Sequence, residues 1–101
     1  MHNREEFHKK LKEVSGVDNV YFQPPEKFLM KYPAIRYNFD DVNNVYADND
    51  IYALNKAYQV IVIDKDPESE IVEKIIKMKY CTFIRSYVSD GLYHTIFKIY
   101  Y

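Results

Sequence analysis

Apolar residues along this chain recur at two different periods, and the switches between them outline the fold. Over residues 3–15, Phe7, Leu11 and Val14 fall at helical spacing and make a narrow apolar stripe. Asn3 suits the N-cap, Glu5 and Glu6 suit the positive end of the helix dipole, and Gly16 marks the stop. Asn19–Gln23 reads as a short strand centred on Val20, Tyr21 and Phe22 and cut by Pro24-Pro25. Residues 26–32 have room for one irregular helical turn around Phe28 and Met30. A second strand spans about Ala34 to Asp40, with Ile35, Tyr37 and Phe39 on one face and Ala34, Arg36 and Asn38 on the other.

A polar, acidic stretch from Asp41 to Asp50 follows, and the joint after it is the most informative part of the chain. The next strand runs from about Tyr52 to Asp64, and Val60, Ile61, Val62 and Ile63 leave it no polar face. Such a run predicts a strand covered on both sides. It stops at an acidic corner. Asp66 occupies an N-cap position and Pro67 the first helical position, where the missing amide costs nothing. The predicted helix covers about Pro67 to Lys77, with Ile71, Ile75 and Met78 on one stripe and Val72 and Ile76 beside it. Lys74, Lys77 and Lys79 collect at its C-terminal end, the favourable end for cations.

Two strands close the chain, at about Tyr80–Val88 and Leu92–Tyr101. Asp90-Gly91 is a strong hairpin turn between them, and Ile84, Val88, Tyr93, Phe97 and Ile99 supply apolar positions at the strand period. The order α-β-β-β-α-β-β predicts an α+β class: a mostly antiparallel sheet flanked by two helices. At 101 residues the chain is expected to form a single domain, 1–101, with an acidic loop or hairpin arm at about 41–51.

Composition narrows the function. Eleven Tyr, six Phe, no Trp and only two Gly suit strands and contact surfaces rather than a glycine-rich phosphate cradle. A formal charge of −1 offers no strong field for nucleic acid or an anionic membrane. The cluster Lys9, Lys10, Lys12 reads as a solvated helix face. The single Cys81 fits a reducing compartment, and the first residues, Met1 to Glu6, lack the apolar segment of a secretory signal. The expected setting is cytoplasmic, with no membrane span.

Candidate chemistry is sparse. His2, His8 and His94 have no second ligand at metal spacing, and a Cys81/His94 pair lacks the orienting partner and oxyanion site of a nucleophile. Asp64-x-Asp66 with Glu68 and Glu70 loosely suggests a cation loop. Ser69 and Ile75 stand where a calcium loop needs glycine and a bidentate Glu, so capping is the simpler reading. Tyr87, Tyr93 and Phe97 with Arg85 and Lys98 loosely imitate a base-stacking sheet, without a ribonucleoprotein-type consensus. No enzyme, cofactor or metal site is expected.

Several motifs together resemble the tail terminator family of long-tailed phages and prophages, also called tail completion, head–tail joining or minor capsid proteins. They are Tyr32-Pro33-Ala34-Ile35, Ala47-Asp48-Asn49, Tyr58-Gln59-Val60, Ile63-Asp64-Lys65-Asp66-Pro67-Glu68-Ser69, and Asp90-Gly91-Leu92-Tyr93-His94 with Phe97 and Tyr100-Tyr101. The resemblance covers most of residues 20–101. It implies a non-enzymatic α+β subunit assembling into a ring, typically a hexamer, that caps the tail tube and meets the head connector, first in the bacterial cytoplasm and then in the virion. A ring needs a heterologous contact. Asp40, Asp41, Asp48 and Asp50 against Lys74, Lys77 and Lys79 of a neighbour would supply complementary charge. The rival expectations are a head-side connector or adaptor subunit and a small sheet-based RNA- or ligand-binding regulatory domain.

Overall fold

A computed structural model of the chain describes residues 4–24, 31–40 and 57–100. Its elements are α1 (Arg4–Ser15), β1 (Val20–Phe22), β2 (Ala34–Phe39), β3 (Ala57–Asp64), α2 (Glu70–Ile76), β4 (Cys81–Ser89) and β5 (Leu92–Tyr100). The five strands make one sheet in the order β1-β2-β3-β5-β4. β1 runs parallel to β2, and every other neighbouring pair is antiparallel. The chain is thus an α+β domain with the element order that its periodicities predict.

Both helices pack on one face of the sheet. Phe7 and Leu11 of α1 and Ile71 and Ile75 of α2 share a core with Ile35, Tyr37, Tyr58, Val60, Val62, Phe97 and Ile99. The register makes these strand residues neighbours: Ile35 lies opposite Val62, Tyr37 opposite Val60, and Val60 opposite Phe97. Lys9, Lys10 and Lys12 are exposed on the outer side of α1.

The β3 run Val60–Ile63 is withdrawn from solvent on both faces. Val60 and Val62 are fully buried beneath the helices; on the other face Ile63 is buried opposite Ala34, and Ile61, between Arg36 and Ile96, is half-buried. Residues 52–56 of the expected strand lie outside the described residues, as do the acidic arm at 41–51 and most of the expected turn at 26–32.

The corner after β3 also differs from the expected cap. Asp66 does not cap α2. Asp64 Oδ1 accepts from the amide of Asp66, and Asp66 Oδ1 accepts from the amide of Glu68, so the acids close two successive side-chain turns. Pro67 and Glu68 remain in a turn, and Ser69 caps the helix: its backbone is extended and its Oγ accepts from the amide of Ile71 at 3.2 Å. A buried serine three residues later outcompetes Asp66 because Asp66 is already spent on the turn.

At the far end, Asp90 and Gly91 both adopt left-handed backbone, φ +53° and +74°, and Ser89 faces Leu92 across them. This is the twist-matched two-residue hairpin that an Asp-Gly pair favours.

Candidate functional site

The aromatic side chains divide between the two ends of the sheet. At the β1 end Phe7, Phe22, Tyr37 and Tyr58 are gathered inside, while Phe39 and Tyr32 remain exposed. Phe7 stacks on Tyr58 at 4.2 Å and meets Tyr37 edge-on at 5.4 Å, and Phe22 lies 5.1 Å from Tyr37. The Tyr37 hydroxyl and His8 Nδ1 are hydrogen-bonded at 2.6 Å, with Arg4 within reach of the same hydroxyl, and burial pushes the Tyr37 pKa up. Burial, with help from Lys12 and Arg4, holds the His8 pKa below its ordinary value, which favours the neutral imidazole. The sequence signal for His8 was only its place beside the apolar stripe. Its partner was invisible because Tyr37 is 29 residues away.

The β4 end is the reverse. β4 is an edge strand of nine residues, and all but Cys81 are exposed. Tyr80 is 68% exposed, Val88 60%, Ile84 50% and Phe83 48%. Ile76, on the neighbouring helix α2, is exposed as well. Ile84 and Val88 occupy the strand period that predicted core, yet the core stops short of them. β4 lies at the sheet margin, and a register shift between Phe83 and Arg85 bulges the strand.

Pairing with β5 assigns the faces. Cys81 lies opposite Ile99 and Phe83 opposite Phe97, on the helix side. Beyond the bulge Ser86 and Val88 take that side, opposite Thr95 and Tyr93. Arg85 and Tyr87 take the other side, opposite Ile96 and His94. There Tyr87 stacks on His94 at 4.7 Å, and the Arg85 guanidinium lies 5.5 Å from the Tyr87 ring centroid. Tyr80, which leads into the strand, has φ +60°, an uncommon backbone for a bulky residue.

The sequence-predicted site residues are brought together only in part. Asp40 does not present a free carboxylate to a neighbour: its Oδ2 lies 3.6 Å from Lys98 Nζ within the same chain. The Tyr100 side chain first, and then Asp40, raises the Lys98 pKa. Asp41, Asp48 and Asp50 lie outside the described residues. Lys74, Lys77 and Lys79 are exposed at the end of α2. Lys77 is the C-cap, its amide donating to the carbonyl of Ile75, and Lys79 Nζ stands 5.7 Å from the Tyr80 ring centroid.

Other constellations come apart. Phe97 is fully buried under the helices while Tyr87 faces the opposite side, so Tyr87, Tyr93 and Phe97 do not form one stacking platform. Cys81 and His94 also take opposite faces, and burial pushes the Cys81 thiol up to about 11, far from a reactive thiolate. Among the described residues no three His, Cys, Asp or Glu side chains gather as metal ligands, and no helix is long and apolar enough to cross a membrane.

Compared with protein-family models, with curated proteins and with solved structures, the chain has no match. The surface best suited to function is therefore defined by its own chemistry: an exposed, apolar, aromatic edge strand flanked by the lysines at the end of α2.

Proposed function

We propose that this protein is a non-enzymatic assembly subunit of a phage or prophage, which caps the tail tube and joins tail to head by self-association into a ring. The observation that carries the reading is the β4 edge. A nine-residue strand with Phe83, Ile84 and Val88 exposed, one charge and no proline is a liability in a protein that remains alone. It is expected in a subunit that buries the edge on assembly.

The motifs that resemble those of tail terminators are in keeping with the same reading, since they sit at the joints of this α+β fold. Tyr32-Pro33-Ala34-Ile35 enters β2, Tyr58-Gln59-Val60 lies in central β3, and Ile63–Ser69 makes the double turn and cap. Asp90-Gly91-Leu92 turns the β4–β5 hairpin. Of the charge contact drawn from sequence, Lys74, Lys77 and Lys79 are exposed, Asp40 pairs with Lys98 within the chain, and Asp41, Asp48 and Asp50 lie outside the described residues.

The test is tube capping. Purified protein added to polymerising tail-tube subunits should bind tube ends and shorten the length distribution seen by electron microscopy. Unchanged tube lengths with no end-bound protein would retire the role. Binding to a portal or adaptor ring in place of the tube would move the subunit to the head side of the joint.

A further inference from the structure

We propose that β4 pairs edge to edge with β4 of a second copy, antiparallel about a two-fold axis at Ser86. The inference rests on the reading that this edge is covered when the protein works, and not on a role at a phage tail.

The backbone restricts the register. Ser89 and Leu92 close a two-residue hairpin, so they form a hydrogen-bonded pair. Alternation along the ladder then turns Tyr87 and Arg85 toward β5 and leaves the N–H and C=O groups of Ser86 and Val88 pointing outward. A two-fold axis can fall on an outward residue, making a hydrogen-bonded pair, or on an inward one, making a non-hydrogen-bonded pair. Centred on Phe83 or Ile84 it would lie in the bulge, and centred on Val88 it would run directly into the Asp90-Gly91 turn. Centred on the inward Tyr87 it would set Val88 against Ser86 and leave the apolar Val88 without an apolar partner, so Ser86 is the centre that the side chains favour.

Side chains agree with that centre. It sets Ile84 against Val88 of the other copy, both half or more exposed in the single chain. It sets Arg85 against Tyr87 on the other face, repeating between copies the cation–aromatic contact made within one. Ser86 meets Ser86. Centring on Arg85 would instead oppose two like charges. The lysine clusters do not collide, because Lys79 lies roughly 23 Å from the axis at about 3.3 Å per residue, and its counterpart lies as far on the other side.

The opposite edge cannot substitute for a second β4. β1 has three residues, the Val20 amide is bonded to the Asp18 carbonyl, and Pro24 follows. A two-fold pair is closed and cannot itself grow into a ring. In a ring-forming protein it is the state that protects this edge before a tail is met.

The experiment is solution mass by light scattering at several concentrations, with two variants. The full chain should approach twice its 12.2 kDa mass. Ser86→Pro removes only an outward amide, which an edge strand tolerates, and should give a folded monomer. Val88→Lys should do the same through charge, and serves if the proline variant fails to fold. Ser86→Cys in a Cys81→Ser background should oxidise to a covalent dimer across the axis, while Ser89→Cys in that background should not. A strict monomer, or a multimer that neither folded variant alters and that Ser86→Cys does not cross-link, overturns the pairing. The two readings fail separately. Tube capping without the dimer leaves the assembly role standing, and a dimer that never caps tubes leaves only the pairing.

Discussion

The two edges of this sheet manage exposure in opposite ways. β1 is three residues long, lies parallel to β2, and is stopped by Gln23 in left-handed backbone and then Pro24. Its Phe22 points inward among Tyr37, Phe39 and Arg4, with the guanidinium 4.5 Å from the ring centroid. β4 is three times as long, and its aromatic and branched side chains stay in solvent. Short, interrupted edges are how proteins prevent unwanted strand addition. The proposed assembly role accounts for a chain that blunts one edge and leaves the other long and apolar: the second is the edge that assembly would bury.

Substitutions can break or sharpen that contrast. The largest effect is expected in the core that both ends share. Val62→Asp places an unpaired charge at a fully buried site, and no cooperative thermal transition should remain. A normal melting curve would mean that β3 is not central.

The edges should then separate. Phe22→Ala should cost about 2 kcal/mol of stability by chemical denaturation, because its ring is half-packed under α1. Val88→Lys should cost within about 0.5 kcal/mol, yet weaken self-association. Equal stability losses at both positions would erase the distinction between a structural and a contact edge.

Tyr80 sharpens the contrast further. Its left-handed backbone costs about 1–2 kcal/mol, and its ring is mostly in solvent. Tyr80→Gly should raise stability by about 0.5 kcal/mol, once the extra freedom of glycine in the unfolded chain is subtracted. If it also weakens assembly, the strained tyrosine serves the interface. A loss of stability would mean that the ring contributes packing after all.

The smallest effect belongs to the β1 end and pH. The folded His8 pKa lies below the unfolded value of 6.5, so the unfolded chain takes up the proton first as pH falls. The stability this group contributes is complete above pH 6.5 and declines as pH drops toward the folded value. His8→Gln should flatten that part of the melting-temperature profile. An unchanged profile would remove the Tyr37 contact as its cause.

Much of this was legible in the chain because it is local. The α1 stripe, the Asp-Gly hairpin and the element order follow from spacing and turn chemistry over a few residues. The α2 cap was misplaced because Asp66 and Ser69 are both good caps. The choice depends on Asp66 first accepting from Glu68, a three-dimensional fact. The exposure of Ile84 and Val88 was hidden for a related reason. Alternation marks a face, but only the strand order tells which strand lies at the edge, and the bulge at Phe83–Arg85 has no glycine to announce it. Asp40 looked like part of an acidic surface until β3–β5 pairing and the return of β2 set it beside Lys98.

Amide hydrogen exchange at low and high protein concentration tests the central claim most directly, because it reads both edges in one sample. The outward amides of Ser86 and Val88 should exchange rapidly when dilute and become protected as concentration rises, while the outward amide of Phe22 stays unprotected throughout. Rapid exchange at Ser86 and Val88 at every concentration, or equal protection appearing at Phe22, would contradict the assignment of β4 as the edge this protein keeps for a partner.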